Sequence, residues 1–201
     1  MEFYKLEFER KSNFQRKTSE TEINISINLD GQGKVESSTG IGFFNHMVEL
    51  LGKHSGFDIL LEARGDLAVD AHHTVEDVAI CLGRALKEAL GEKKGISRYG
   101  HVILPMDEAL VLVALDLSGR GYLGLEASFQ ASRAGDMDTE LVEEFLRSLA
   151  VNGEITLHVR VLAGRNTHHI IEAIFKGLAR ALKMAVTRGT GEEVPSTKGI
   201  L

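Results

Sequence analysis

Residues 21–29 alternate apolar and polar side chains, with Ile23, Ile25, Ile27 and Leu29 at period two and Asp30, Gly31 and Gly33 behind them. This pattern predicts a half-buried strand closed as a hairpin by the Asp30-Gly31 turn. The period then changes. After Gly40-Ile41-Gly42, positions Phe43, Met47, Leu50 and Leu51 follow helical spacing, with Gly52 and Gly56 as punctuation. Residues 57–63 return to a strand, and Arg64-Gly65-Asp66 reads as a turn. A long helix is predicted from its N-cap, Asp70, to Gly91, with Val75, Val78, Ala79, Leu82, Leu86 and Leu90 on one face.

Residues 101–117 are strand-like around Pro105, which marks an edge or a break, and residues 121–129 form another candidate strand. An amphipathic helix is predicted over 136–148, with Leu141, Val142, Phe145 and Leu149 inward. Residues 154–162 alternate Ile155, Leu157, Val159 and Val161. A helix over 167–186 follows, N-capped by Asn166 and carrying Ile170, Ile171, Ile174, Leu178 and Leu182 inward. The tail, 189–201, reads as an extended arm. The two halves, about 1–95 and 96–201, repeat one scheme within a single domain. The expected fold is therefore a duplicated α+β unit whose long helices share one core covered by sheets.

The chain has 201 residues, 43% hydrophobic and 26% charged, enough to bury a sizeable core. A net charge of −6 argues against non-specific nucleic-acid binding, which needs a basic face to release counterions. The single cysteine, Cys81, cannot form an internal disulfide and falls in an apolar helical run, as a buried thiol. The N-terminus carries charges every few residues without an apolar signal region, and no window approaches 18 uninterrupted apolar residues. These features predict a cytoplasmic protein, neither exported nor membrane-embedded.

The chemistry is concentrated in a stretch that occurs twice. Asp70-Ala-His-His-Thr-Val-Glu-Asp77 is matched 96 residues later by Asn166-Thr-His-His-Ile-Ile-Glu172, and both run on into similar helices. On a helix, His72 and Glu76 project about 40° apart and His73 and Glu76 about 60° apart, so either histidine can share an ion with the glutamate. Adjacent histidines diverge by about 100°, which implies two ions rather than one. The second copy offers His168, His169 and Glu172 in the same way. Both doublets fall in the first helical turn, where the helix dipole disfavours imidazolium and favours the neutral, metal-binding form. Four histidines and two carboxylates without thiolate suit Mn²⁺, Fe²⁺, Zn²⁺ or Co²⁺ better than Mg²⁺ or Ca²⁺. Aligning the preceding helices adds His46 and, 98 residues on, Glu144. His54, His101 and His158 read as structural or exposed. Arg120 between glycines and the Ser196-Thr197-Lys198-Gly199 terminus are candidate phosphate ligands, with Arg98 and Lys176.

These motifs resemble one family. The resemblance to imidazoleglycerol-phosphate dehydratases of histidine biosynthesis covers nearly the whole chain, through residues 40–47, 70–77, 105–109, 115–120, 138–143, 166–169 and 195–199. It implies helices between two mixed four-stranded sheets, of the ribosomal protein S5 domain 2-like kind. It implies dehydration of D-erythro-imidazole glycerol phosphate to imidazole acetol phosphate, with two Mn²⁺ per active site binding the substrate imidazole as imidazolate. Hydroxide would then leave through a diazafulvene-like intermediate. It also implies a homo-oligomer of 24 subunits with sites shared between neighbours.

Carried over by motif, the metal ligands are His46, His72, His73, Glu76, His168, His169 and Glu172, with Glu144 where many members have histidine. Asn45 stands where aspartate is usual, and is expected to accept a hydrogen bond from a ligand histidine. Glu20 and Glu172 are the implied catalytic carboxylates, Glu20 shuttling the proton. Glu20, His46 and His72 would also touch the substrate, while Arg98, Arg120, Lys176, Ser196, Thr197 and Lys198 hold its phosphate. Two rivals share the metal pattern: a dinuclear metallohydrolase, and a non-enzymatic assembly stapled by metals.

Overall fold

The computed structural model describes residues 9–189, 191 and 193–201; residues 1–8, on which the expectation of a chain that is not exported rests, lie outside them. No helix among the described residues is long and apolar enough to cross a membrane.

The first half runs β1 (Lys11–Lys17), β2 (Thr21–Asn28), β3 (Val35–Ser38), α1 (Gly42–Ser55), β4 (Asp58–Gly65) and α2 (His72–Leu90). The second runs β5 (Tyr99–Met106), β6 (Ala109–Asp116), β7 (Tyr122–Glu126), a small ribbon of β8 (Arg133–Ala134) and β9 (Met137–Asp138), α3 (Leu141–Asn152), β10 (Thr156–Ala163) and α4 (Thr167–Val186). The sheet orders are β1-β2-β4-β3 and β5-β6-β10-β7, so corresponding strands take corresponding places. In each sheet the last pair is parallel and the others antiparallel. The parallel pair is joined through a helix, as a crossover between parallel strands requires. Helices α1 and α2 pack on the first sheet and α3 and α4 on the second, while α1 meets α4 and α2 meets α3. The core between the sheets is thus built from both halves, and the duplicated α+β expectation holds.

The buried faces follow the periodicities. Ile23, Ile25, Ile27 and Leu29 point inward from the first sheet, and Ile155, Leu157 and Val159 from the second. Phe145 on α3 packs its ring 5.5 Å from Phe44 of α1 and 5.0 Å from Phe175 of α4. Pro105 lies on the edge strand β5, opposite Leu110, where a missing N–H costs no ladder bond. Gly52 sits inside α1 because a Cβ there would lie 2.3 Å from Val35 Cγ2.

Four expectations are corrected. Strand β2 does form a hairpin, but with β1, through residues 18–20; Asp30 and Gly31 lead instead to β3. Residues 64 and 65 belong to β4 rather than to a turn. Helix α3 starts at Leu141, because residues 133–138 form the β8–β9 ribbon around Gly135 at φ +59. The tail does not extend: Gly189 N–H donates to Gly95 O at 2.8 Å and Gly95 N–H to Glu193 O at 3.0 Å, folding it back on the segment between α2 and β5 that joins the two halves.

Candidate metal centre and anion cavity

Helix α1 has no side-chain cap of its own at Ile41. Its free N–H groups are met from 94 residues away, where Asp136 accepts from Gly42 N at 2.6 Å and Phe43 N at 2.9 Å. Burial pushes the Asp136 carboxyl up, and the Phe43 and Gly42 N–H groups outweigh it, leaving the pKa below its usual value. Helix α4 is capped as expected, Asn166 Oδ1 accepting from His168 N at 2.9 Å and His169 N at 3.3 Å.

The packing of α1 on α4 then brings three donors together. Glu172 Oε1 lies 2.9 Å from His46 Nε2 and 3.0 Å from His168 Nε2. Among the described residues, these three form the group of metal-ligating side chains whose donor atoms all fall within 4.8 Å of one another. Phe43 sets its ring edge-on to His168, 5.1 Å between centroids, walling one side. Glu172 is 7% exposed, and its Oε2 accepts from Lys176 Nζ at 2.5 Å. Burial pushes its carboxyl up, but hydrogen bonds from Lys176, His46 and His168 together lower it to about 2. An anionic carboxylate facing two imidazole nitrogens fits a divalent first-row transition-metal cation, Mn²⁺ among them.

The first doublet faces elsewhere. Helix α2 begins at His72, whose N–H donates to Asp70 Oδ1 at 2.7 Å, so Asp70 caps it one residue outside the geometric cap, Ala71. His73 Nδ1 lies 3.0 Å from Asp66 Oδ2 and 3.8 Å from Glu20 Oε2. The Asp66 hydrogen bond raises the His73 pKa against the opposing pull of burial. Glu76 is half-buried on α2. Glu144, on the neighbouring α3, accepts from Ser148 Oγ at 3.1 Å. In the second doublet, His169 turns away from His168, their ring planes 88° apart, and its Nδ1 lies 2.8 Å from Glu108 Oε2. That bond, with N–H groups of Asn166 and Arg165, lowers the Glu108 pKa to about 2. His72, His73, Glu76, Glu144 and His169 therefore stay outside the three-residue cluster. Asn45 is not where it was expected: its Oδ1 accepts from Thr39 Oγ1 at 2.8 Å, Thr39 N at 3.0 Å and Ser37 Oγ at 3.1 Å, tying α1 to β3.

The basic residues divide. Arg98, Arg120, Ser196, Thr197 and Lys198 line one cavity of about 370 Å³ with Ser118. Arg98 also braces it: Nε and Nη2 donate to Asp116 at 2.7 and 3.0 Å and Nη1 to Pro195 O at 2.8 Å. Lys176 is not in this cavity, being bonded to Glu172. Sequence reasoning missed Asp66, Glu108 and Asp136. A usable signal existed for Glu108, which directly precedes a hairpin strand as Glu20 does.

Residues 39–182 match the family model described as Imidazoleglycerol-phosphate dehydratase. The chain is 58% identical over 193 residues to the imidazoleglycerol-phosphate dehydratase of Pelotomaculum thermopropionicum, covering 96% of this chain and 99% of that one. It is 59% identical over 194 residues to that of Acetivibrio thermocellus, covering 96% and 100%. Among solved structures, it resembles the enzyme of Staphylococcus aureus with a TM-score of 0.80 and 44% identity, covering 89% of this chain and all of that one. The corresponding values for that of Pyrococcus furiosus are 0.82, 38%, 93% and 99%.

Proposed function

The chain belongs to the imidazoleglycerol-phosphate dehydratase family and is a dehydratase of histidine biosynthesis, and on that footing we propose that it converts D-erythro-imidazole glycerol phosphate to imidazole acetol phosphate and water at a two-Mn²⁺ centre taking the imidazole as imidazolate. The observation that carries the metal part is the convergence of His46, His168 and Glu172 from two helices of different halves, with Glu172 held anionic. These three hold one ion; His72, His73, Glu76, Glu144 and His169 are the remaining ligands. Because those five stand outside the first cluster, completing a two-ion centre calls for donors from neighbouring copies, which supports a homo-oligomer with shared sites; the count of 24 subunits is what the family resemblance implies.

When bound, Mn²⁺ supplies Lewis acidity and a template for the imidazole ring. The chain's own residues do the rest. In the overall change a C–H and a neighbouring C–O bond break, water leaves, and the enol regains a proton on carbon to become the ketone. Glu20, exposed at the tip of the β1–β2 hairpin beside His73, takes and returns the proton. Arg120, Ser196, Thr197 and Lys198 hold the phosphate, and Arg98 keeps the tail that carries three of them in place. Lys176 contributes from the metal side, fixing Glu172.

The test is an assay of the Mn²⁺-loaded full-length chain for keto product and for inorganic phosphate. Keto product without phosphate is expected; phosphate without keto product selects the metallohydrolase and overturns this reading. Glu20→Gln should keep its metal content and lose about 10²- to 10⁴-fold in turnover. Unchanged turnover in that variant would remove Glu20 from the proton transfer, and metal-loaded protein that forms neither keto product nor phosphate would leave the metals as staples between subunits.

A further inference from the structure

The two halves carry a glutamate at the same hairpin position. Glu20 directly precedes β2 and Glu108 directly precedes β6. Each reaches toward the second histidine of its own doublet, Glu20 Oε2 at 3.8 Å from His73 Nδ1 and Glu108 Oε2 at 2.8 Å from His169 Nδ1. They are nevertheless used differently. Glu108 is engaged at both oxygens, because its Oε1 also accepts the N–H of Arg165 at 3.1 Å and of Asn166 at 2.7 Å. Glu20 is 51% exposed, since His73 Nδ1 is already held by Asp66 at 3.0 Å.

Asp66 enters from a different place in the unit. It directly follows β4, and the residue directly following the corresponding strand β10 is Gly164. A Cβ at Gly164 would lie 2.8 Å from Ile170 Cγ1 and 3.2 Å from the Ala109 Cα, and its φ of +144 disfavours any side chain. In the second half no carboxylate can arrive from that side, so the hairpin glutamate does the work. In the first half Asp66 does it instead. A histidine that donates Nδ1–H to a carboxylate presents Nε2 as its lone pair, oriented for a metal.

We propose that Asp66 and Glu108 are positioning residues that fix the tautomer and ring direction of His73 and His169 for metal ligation, and that Asp66, by taking over His73, releases Glu20 for proton transfer. This rests on the dehydratase reading for the use of Glu20, but its test is metal affinity.

The full-length chain is titrated with Mn²⁺ and free ion is followed by its electron paramagnetic resonance signal, with thermal melting of the metal-free protein as the fold control. In Glu108→Gln the two backbone N–H groups pin the amide oxygen, so the amide nitrogen faces His169 Nδ1 and moves the ring proton to Nε2. Mn²⁺ binding should weaken about 10- to 100-fold while melting stays close to wild type. In Asp66→Ala, Glu20 is near enough to fall onto His73. Glu20→Gln should therefore be silent toward Mn²⁺ affinity in the wild-type background and cost about a further tenfold in the Asp66→Ala background. Unchanged affinity in Glu108→Gln, or strictly additive effects at positions 20 and 66, would overturn the proposal. A wild-type chain that binds Mn²⁺ and shows this coupling but forms no keto product would sink the dehydratase chemistry alone.

Discussion

Replacing Asp136 by alanine removes the cap of a helix to which it does not belong. Both carboxylate oxygens are used, on Gly42 N at 2.6 Å and Phe43 N at 2.9 Å, and α1 has no side-chain cap besides. Loss of an N-cap costs about 1–2 kcal/mol. For a chain of this size that corresponds to a fall in melting temperature of roughly 2–4 °C per kcal/mol. Asp136→Asn retains one good acceptor and should lie between wild type and alanine. The effect has a pH signature. The Asp136 pKa is lowered in the folded state, so its stabilisation is present above the unfolded carboxyl value near 3.8 and is lost as pH falls through the lower folded value. The gap between wild type and Asp136→Ala, measured by thermal melting of the metal-free protein, should be constant from pH 7 to 5 and close below about pH 4. His46 sits one turn inside this helix, so Mn²⁺ affinity should fall as well. Coincident melting curves at pH 7 would refute the assignment of Asp136 as the α1 cap.

Three further outcomes follow from single features. Arg98→Met removes the guanidinium shared by Asp116 and Pro195 O, so the tail should become a substrate for limited trypsin cleavage at Lys198, and KM should rise more than kcat falls; a tail as resistant as wild type argues against that brace. Gly83→Ala places a Cβ 2.7 Å from Gly153 N and 2.9 Å from Leu149 O at the α2–α3 contact, and should cost about 1–3 kcal/mol by overpacking, read from denaturant melts. The Cys81 thiol, fully buried and pushed up to about 12 by desolvation, should resist iodoacetamide at pH 8 until the chain unfolds; rapid native labelling would show that its helix opens.

The elements legible in the sequence are those whose pattern is long and local. Helix α4 spans residues 167–186 as its apolar spacing and Asn166 cap indicate, and α2 differs by one residue at its start. Strand β1 was illegible because Phe14 is its one large apolar residue; pairing with β2, and Arg16 donating to Asp77 at 2.7 Å, hold it in place. The start of α3 was misplaced because Met137, buried from the β8–β9 ribbon, mimics the first apolar position of the helix that follows. At the site, the repeated histidines announced ligand chemistry, but their partners did not show. His46 and Glu172 are 126 residues apart, and their meeting depends on α1 crossing to the other half. Asn45 was assigned to a histidine on chemistry alone, whereas Thr39, six residues away, saturates it first.

That crossing gives position 144 its meaning. Helix α1 meets α4 and α2 meets α3, so each pair joins one helix from each half. The internal repeat places Glu144 on α3, packed against the α2 that carries His72 and Glu76, as it places His46 on α1 against α4, although among the described residues the set whose donor atoms close to within 4.8 Å is His46, His168 and Glu172. One set holds two imidazoles and one carboxylate, the other one imidazole and two carboxylates. More oxygen and more negative charge favour a harder cation, and imidazole favours Zn²⁺ over Mn²⁺. If Glu144 is a ligand, Glu144→His should raise the ratio of Zn²⁺ to Mn²⁺ affinity, measured by competition on the full-length chain, while Ser148, now without the Glu144 acceptor, adds little of its own. Glu144→Ala should lower metal stoichiometry. An affinity ratio that histidine leaves unchanged, together with full stoichiometry in the alanine variant, would place Glu144 outside the metal centre and leave its bond to Ser148 as its role.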